Sequence, residues 1–137
     1  MKKIFPLILI AIIAITAGSC RRASHNGLID GMWRIDEITV TATGENVDPL
    51  DKFICVNLEL MQLGHPSPEI TGILHYHKGD ERFSVEFPYR PSDDKMAGYG
   101  FAYNSPDTDV VTLDVELLNH KHMVLRSPIA TITCTRY

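Results

Sequence analysis

Basic residues are scarce in this sequence, and they are not clustered. The 137 residues include 13 lysines and arginines against 17 aspartates and glutamates, which gives a formal net charge of −4 at neutral pH. Proteins that bind nucleic acids usually present a basic patch or stripe to the phosphate backbone. No such block of residues occurs here, so we do not expect nucleic acid as a partner.

Helical periodicity is also lacking. No stretch shows a convincing helical spacing of apolar residues over the ten or more positions that a helix prediction requires. Short stretches instead alternate between apolar and polar residues, and glycine, proline, asparagine and aspartate separate them. The clearest alternation covers residues 109–118, where Val111, Leu113, Val115 and Leu117 share one face. The sequence therefore predicts an all-β domain.

The alternating stretches predict about eight short strands, at residues 32–43, 53–63, 69–77, 82–89, 99–103, 109–118, 122–126 and 129–136. The connections between them are short, which favours antiparallel neighbours. Closing eight strands into a barrel removes the exposed edges of the sheet. We therefore predict an antiparallel up-and-down β-barrel, with a β-sandwich as the alternative.

The one long apolar run lies at the N-terminus. Lys2 and Lys3 precede an apolar stretch at residues 4–17, and small residues then lead to Cys20. A basic start, an apolar run and small residues before a cleavage point form the layout of a secretory signal peptide. The alternative is an uncleaved membrane anchor, but the run is shorter than the roughly 20 residues that span a bilayer.

A cysteine directly after the small residues resembles the lipobox of bacterial lipoproteins. In that family a signal peptidase cuts before the cysteine, which then carries the lipid. The resemblance implies a signal peptide at residues 1–19, a lipidated Cys20, a tether at 20–27 and a domain at 28–137. Arg21 and Arg22 follow Cys20, where surface-exported lipoproteins of the Bacteroidetes type carry acidic residues. This favours attachment to the outer membrane of the cell envelope, facing the periplasm.

Two cysteines remain once Cys20 is assigned to the lipid. Cys55 and Cys134 form an even pair in a compartment that permits disulfides. Alternation places Cys55 on the polar face of its strand and Cys134 on the apolar face, whereas a disulfide needs both Cβ atoms to point together. A bridge and two free thiols are therefore both open.

A G-x-W motif opens the first predicted strand, at Gly31-Met32-Trp33, and Trp33 is the only tryptophan. Together with the strand count, this motif resembles the lipocalin-like (calycin) lipoproteins common in Bacteroidetes, over roughly residues 28–137. The resemblance implies that Trp33 lies at the closed end of a barrel, under an arginine from the last strands. Arg126 and Arg136 are the two candidates. The resemblance gives the motif a structural role.

The resemblance also implies a small hydrophobic ligand held near the open end of the barrel. Six aromatic residues could line a pocket mouth around residues 91–98, or they could simply form the core: Phe83, Phe87, Tyr89, Tyr99, Phe101 and Tyr103. The alternative function is a filled barrel that serves as an envelope scaffold or protein-interaction lipoprotein, because so short a chain leaves little interior once the apolar faces pack.

Residue patterns typical of catalysis are lacking. His75 with His77, and His120 with His122, could supply four nitrogen ligands to zinc if the two pairs met. Both pairs lie at predicted turns, however, where polar side chains are usual. The serines occur in no nucleophile-elbow motif, and the cysteines lack a neighbouring base. We therefore expect no enzymatic activity, no cofactor and no metal site.

Overall fold

The structure is a computed structural model, and it describes residues 26–65 and 67–137. A 3-10 turn at Gly27–Ile29 precedes the first strand, and one short helix, α1, spans Asp93–Ala97. The strands are β1 (Gly31–Val40), β2 (Asn46–Val47), β3 (Phe53–Asn57), β4 (Leu60–Gly64), β5 (Pro68–His75), β6 (Arg82–Glu86), β7 (Val110–Leu118), β8 (His122–Arg126) and β9 (Ala130–Arg136). Within these ranges, no helix has the length and apolar character needed to cross a membrane.

Eight of these nine strands close into one antiparallel barrel, which confirms the predicted fold class. The order around the ring is β1-β3-β4-β5-β6-β7-β8-β9, and β9 returns to β1 with Trp33 opposite Arg136 and Val40 opposite Ala130. The two-residue β2 stands outside the ring and pairs with Ile38 and Thr39 of β1. Closure gives the two edge strands of the sheet hydrogen-bond partners in each other.

Alternation sends every second side chain of the ring into the barrel interior. Register shifts near Ile35 in β1 and near Val115 in β7 interrupt the alternation without opening the ring. The inward side chains form a packed apolar core of Trp33, Ile35, Ile38, Ile54, Val56, Met61, Leu63, Ile70, Leu74, Phe83, Val85, Val111, Leu113, Met123, Leu125, Ala130, Ile132 and Cys134.

The two ends of the barrel are covered by different segments. At one end, which we call the closed end, β1 begins and Ile29 of the 3-10 turn packs beside Trp33, whose Nε1 donates to the Ile29 carbonyl at 2.9 Å. At the opposite end Met96, Tyr99 and Phe101 are fully buried, and we call these three residues the plug. We call this opposite end the plug end.

Residues 53–63 form two strands, so the single strand predicted there is wrong. A tight turn at Leu58 separates β3 from β4, and Leu58 has a φ of 55°. Glycine or asparagine usually takes such a conformation in a hairpin turn, and neither residue stands at position 58 to mark it. After the turn, Met61 and Leu63 are the buried side chains, while Leu58 and Leu60 are exposed.

Residues 99–103 form no strand in the described structure, so the strand predicted there is also wrong. They follow α1, which begins after Ser92, whose Oγ accepts a hydrogen bond from the Lys95 amide at 3.2 Å. Five helical residues are too few to produce a readable period. The ring contains the predicted eight strands because one predicted strand divides in two and another is a loop, and β2, outside the ring, is a ninth strand.

Candidate functional site

An arginine stacked on the only tryptophan seals the closed end. The guanidinium carbon of Arg136 lies 4.2 Å from the Trp33 ring centroid, and the indole is fully buried. A cation over an indole face is a favourable contact. Arg126, the other candidate from the sequence, lies on the outer wall, where its guanidinium pairs with Asp114 and Glu116 at 3.4 and 3.1 Å.

Arg136 also holds separate chain segments together. Its Nη1 and Nη2 donate to the carbonyl oxygens of Asp30 and Leu28 at 2.7 and 2.5 Å, and its Nε donates to that of His120 at 2.6 Å. A Cβ atom at Gly31 would lie 2.5 Å from Nη1, and the φ of +126° there suits glycine alone. Gly31 therefore gives the guanidinium room to approach, and the G-x-W motif builds a structural seal.

Side chains occupy the plug end as well. Lys52 Nζ donates to the Gly98 carbonyl at 2.7 Å and lies 5.0 Å from the Tyr99 ring centroid. Ser127 Oγ donates to the Gly100 carbonyl at 2.5 Å, which fixes the loop that carries the plug. Burial is the main reason that the pKa of Tyr99 is raised. The protein's own side chains thus close the described barrel at both ends.

The best candidate for a binding site is a groove beside α1 at the plug end, which we call the α1 groove. Its volume is about 410 Å³, within the range of small-molecule sites. Its lining combines apolar and polar side chains: Arg90, Asp93, Asp94, Met96, Ala97, Phe101, Ala102, Tyr103, Asn104, Ser105, Pro106 and Ile129. A groove of about 440 Å³ on the barrel wall is lined mainly by charged side chains that pair with one another.

Arg90 organises the polar side of the α1 groove. Its guanidinium carbon lies 4.3 Å from the Tyr103 ring centroid. Its Nη1 and Nε each lie 3.6 Å from a carboxylate oxygen, of Asp93 and Asp109 respectively, and its Nη2 donates to the Pro106 carbonyl at 3.1 Å. The side chain of Arg90 is 35% exposed, so part of it remains accessible to solvent.

Tyr103 forms one wall of the α1 groove. Its hydroxyl donates to the Pro91 carbonyl at 2.6 Å. Burial is the main cause that raises the pKa of this hydroxyl, with Arg90 acting in the opposite direction and Asp93 and Asp109 adding to the rise. The phenol therefore stays neutral near pH 7. The groove offers an apolar floor, a cationic donor and exposed carboxylates, which suits a small, mostly apolar molecule with a polar end.

The structure brings only two of the six aromatic residues named from the sequence to the α1 groove, namely Phe101 and Tyr103. Three others belong to the core, and Tyr89 is 97% exposed on the turn before α1. Sequence reasoning missed Arg90. The only sequence signal for it was its place between two prolines, at positions 88 and 91. In the structure the backbone turns in this segment, and Arg90 takes a φ of 41°.

The histidine pairs lie at two different hairpins. His75 ends β5 and His77 lies in the β5–β6 connection, where its Nδ1 is 3.6 Å from an Asp80 oxygen. His120 and His122 belong to the β7–β8 hairpin. Residues 26–65 and 67–137 contain no group of three or more His, Cys, Asp or Glu side chains placed to hold a metal ion.

Cys55 and Cys134 are both free, so the disulfide alternative is wrong. They belong to β3 and β9, which flank β1 on opposite sides. Cys134 points into the core, where burial raises the pKa of its thiol, and Cys55 is half-buried on the other face of the sheet. Side chains on opposite faces of the sheet cannot meet the geometry of a disulfide.

Cys20, the predicted signal peptide at 1–19 and residues 21–25 of the predicted tether lie outside the described residues. The first described residue, Asn26, is fixed at the closed end. Its Nδ2 donates to an Asp30 carboxylate oxygen and to the Leu58 carbonyl, both at 2.7 Å. The preceding chain therefore reaches the barrel at this end.

A closed antiparallel barrel of eight strands, sealed by an arginine over the tryptophan of a G-x-W motif, defines the class of lipocalin-like barrels. Residues 13–137 match the model of the lipocalin-like domain family, and the chain belongs to that family.

Two solved structures share this fold. A lipocalin-like protein from Bacteroides uniformis is 16% identical, with a TM-score of 0.59 over 81% of this chain and 100% of the other. An uncharacterized protein from Bacteroides eggerthii is 21% identical, with a TM-score of 0.54 over 79% of this chain and 98% of the other. The chain matches none of the curated proteins with which it was compared. At these identities the likeness concerns the fold alone.

Proposed function

We propose that this protein is a lipid-anchored lipoprotein of the bacterial cell envelope, attached through an acylated Cys20 to the outer membrane and facing the periplasm. The N-terminal layout supports this, because a basic start, an apolar run and small residues lead to a cysteine. The membrane is then the first partner of the protein. The barrel domain begins only a few residues beyond the lipid.

The anchor is tested by Cys20→Ala in the full-length chain. We expect this variant to stay at precursor length and to take up no radioactive palmitate when expressed in its bacterium. Cys55→Ala is the matched control, since it also removes a free cysteine and should still be processed and labelled. Palmitate label on Cys20→Ala would show that the lipobox assignment is wrong.

For the barrel domain, we propose binding of a small hydrophobic ligand in the α1 groove, outside the packed interior. One observation carries this proposal: a groove of about 410 Å³ has the partly exposed side chains of Ala102, Tyr103 and Ile129 in its lining and Arg90 at its polar side. Arg90 can give a hydrogen bond to the polar end of a ligand while the apolar part displaces water from the floor. The proposal involves no catalysis, cofactor or metal.

Native mass spectrometry of the mature protein, released gently from its own membranes, tests the ligand. We expect a co-purifying mass beyond that of the Cys20 lipid. Ala102 lines the groove, so Ala102→Trp should fill it and remove that mass. Ala42→Trp makes the same change on an exposed loop of the plug end and should keep it. A co-purifying mass that survives Ala102→Trp would exclude the α1 groove as its site.

A filled-barrel scaffold or protein-interaction lipoprotein is the second candidate. The observation that favours it is the packing of side chains at both ends of the barrel, by Ile29 with Trp33 and by the plug. On this reading the same mass spectrum contains no small molecule, and the domain appears alone or with a protein partner.

A further inference from the structure

We infer that the closed end of the barrel docks on the phospholipid surface to which Cys20 is anchored, through a ring of exposed apolar side chains. This inference rests on the lipid anchor proposed above. We call the ring the exit face, and it consists of Leu28, Met32, Leu58, Leu60, Leu117 and Tyr137.

Exposed apolar side chains are concentrated at this end. Among the described residues nine large hydrophobic side chains are exposed, and six of them form the exit face. The other three, Val47, Leu50 and Tyr89, belong to the plug end. The six lie in or beside β1, β4, β7 and β9 and in two turns, so they surround the end of the barrel. Single exposed leucines are normal on protein surfaces, whereas a ring of apolar side chains at one end indicates a contact surface.

An apolar groove opens at the same end. It has a volume of about 350 Å³ and lies beside Leu28, with Tyr76, Val115 and Leu118 in its lining. Tyr76, Val115 and Leu118 are partly buried and pack against the core, so the groove belongs to the closed end of the barrel. It extends the apolar surface of the exit face inward.

The chain reaches the barrel through this face. Asn26 is only 4% exposed, and its backbone N–H and Nδ2 donate to the Asp30 carboxylate at 2.9 and 2.7 Å. Its Nδ2 also donates to the carbonyl of Leu58, which belongs to the exit face. Cys20 stands six residues before Asn26, and six residues span at most about 20 Å when fully extended. A lipid on Cys20 therefore keeps the exit face close to the headgroups.

This short connection makes weak docking sufficient. A surface held near the bilayer meets it at a high effective concentration, so a few apolar side chains at the interface are enough to hold it there. Exposed charges of both signs lie around the exit face, with Lys78 and Lys121 against Glu59 and Glu81. Because these charges offset one another, we expect docking to depend little on salt concentration.

Leu58 and Leu50 provide a matched pair of positions for the test. Both leucines have positive φ, of 55° and 48°, and both are exposed, by 56% and 60%. Leu58 belongs to the exit face, whereas Leu50 lies at the plug end. A tryptophan at either position therefore has a similar local setting. The tryptophan at position 58 probes the closed end of the barrel, and the one at position 50 probes the plug end.

The experiment uses the full lipidated protein in vesicles of phosphatidylethanolamine and phosphatidylglycerol with brominated acyl chains, which quench nearby tryptophans. The emission of Trp33, measured in the unsubstituted protein, is subtracted. We expect quenching of Leu58→Trp to exceed that of Leu50→Trp at least twofold, at low and at high salt. Equal quenching, or stronger quenching of Leu50→Trp, would overturn the inference.

Flotation of the same vesicles separates this failure from that of the anchor. Protein that floats without preferential quenching at position 58 keeps the anchor and excludes the docking. Protein that does not float overturns both. Emission of Leu58→Trp that changes with protein concentration at constant lipid would place a second copy on the exit face and also exclude lipid docking.

Hydrogen exchange tests the docking in the unsubstituted protein, so its result does not depend on a substitution. On transfer from detergent to vesicles, we expect slower amide exchange in the turns at residues 57–60 and 118–122. The loop at residues 44–51, which lies at the plug end, should exchange unchanged. Equal protection at both ends, or none, would contradict docking through the exit face.

Discussion

Each end of the barrel carries an arginine over an aromatic ring at nearly the same distance. Arg136 lies 4.2 Å from the centroid of Trp33 at the closed end, and Arg90 lies 4.3 Å from that of Tyr103 beside the α1 groove. Both contacts are cation–π pairs of similar geometry. The difference between them comes from the other partners of each guanidinium.

At the closed end, Arg136 donates only to backbone carbonyls, at 2.5 to 2.7 Å, which belong to the turn before β1 and to the β7–β8 turn. Such acceptors cannot leave unless these chain segments move. Arg90 has one backbone acceptor, the Pro106 carbonyl at 3.1 Å, but its other two partners are carboxylates at 3.6 Å, and the side chain of Asp93 is 80% exposed. An exposed side chain can rotate away. The same arginine–aromatic pair is therefore a permanent seal at one end and an adjustable polar group at the other.

Removing the two arginines is the strongest test of this comparison. We expect Arg136→Ala to lower the free energy of unfolding by about 4 kcal/mol, because it removes several charge-assisted hydrogen bonds and a cation–π contact. Arg90→Ala should lower it by about 1 kcal/mol, since its ion pairs are largely exposed. Urea unfolding of both variants measures the difference.

Arg126→Ala is the control for loss of an arginine from the last strands, because Arg126 pairs only with the carboxylates of Asp114 and Glu116 on the outer wall. It should cost less than about 1 kcal/mol. If Arg126→Ala were as damaging as Arg136→Ala, the stacking on Trp33 would not be the source of the effect.

The space that Gly31 leaves for Arg136 gives the next largest effect. Gly31→Ala should lower the free energy of unfolding by about 3 kcal/mol, since a φ of +126° is strained for alanine and its Cβ would lie 2.5 Å from Nη1. Gly44→Ala is matched to it, with a φ of +70° and open space around the added carbon. That variant should cost only about 1 kcal/mol. Equal urea midpoints for the two variants would mean that the guanidinium moves aside freely.

The closed end was also the more predictable of the two ends. The G-x-W motif and period-2 alternation are local sequence features. Alternation predicted the barrel, and the family that the motif resembles implied an arginine from the last strands, with Arg126 and Arg136 as the candidates. Choosing Arg136 over Arg126 required the register of β9 on β1, which places Arg136 opposite Trp33. Alternation along a single strand carries no information about such pairing.

The plug and α1 were missed because their signals are not local, although residues 91–98 were one predicted place for a pocket mouth. The plug is a loop whose apolar residues imitate a strand, and α1 is too short to show a period. The turn at Leu58 was missed for a related reason, since its positive φ is taken by a residue that rarely adopts it. Tertiary contacts therefore determine both features, and the neighbouring residues give no clear sequence signal for either.

Thiol reactivity tests whether the closed half of the interior is rigid. Cys134 is fully buried and lies opposite Ile35 of β1 and Met123 of β8. Burial raises the pKa of its thiol. Cys55 is half-buried on the other face of the sheet. We expect iodoacetamide to modify Cys55 at least 100-fold faster than Cys134 in the native protein, which corresponds to about 2.8 kcal/mol. Peptide mass spectrometry gives the two rates.

Urea should make the two cysteines equally reactive, which is the control for intrinsic chemistry. If neither thiol reacted until a reductant was added, the cysteines would be bridged, contrary to the two free thiols of the structure. Rapid native modification of Cys134 would instead show that the closed end opens, contrary to the seal.

The pair of Arg82 and Asp114 on the barrel wall provides a third setting for an arginine, and the one with the smallest expected effect. Arg82 Nε donates to Asp114 Oδ1 at 2.6 Å, and this hydrogen bond is the main reason that the pKa of Asp114 lies below its ordinary value of 3.8. Because the folded-state value is lowered, the pair stabilises the protein above about pH 4 and loses this contribution as the pH falls through the lowered value.

Asp114→Asn should therefore reduce the urea midpoint slightly at pH 7 and by less at pH 3. Asp107→Asn changes an exposed carboxylate that forms no ion pair in the described structure, so its midpoint should differ from that of the parent by the same amount at both pH values. A pH-independent effect of Asp114→Asn would mean that Arg82 contributes no stabilisation through charge. In that case only the two arginines stacked on aromatic rings, Arg136 and Arg90, would be expected to stabilise the folded barrel.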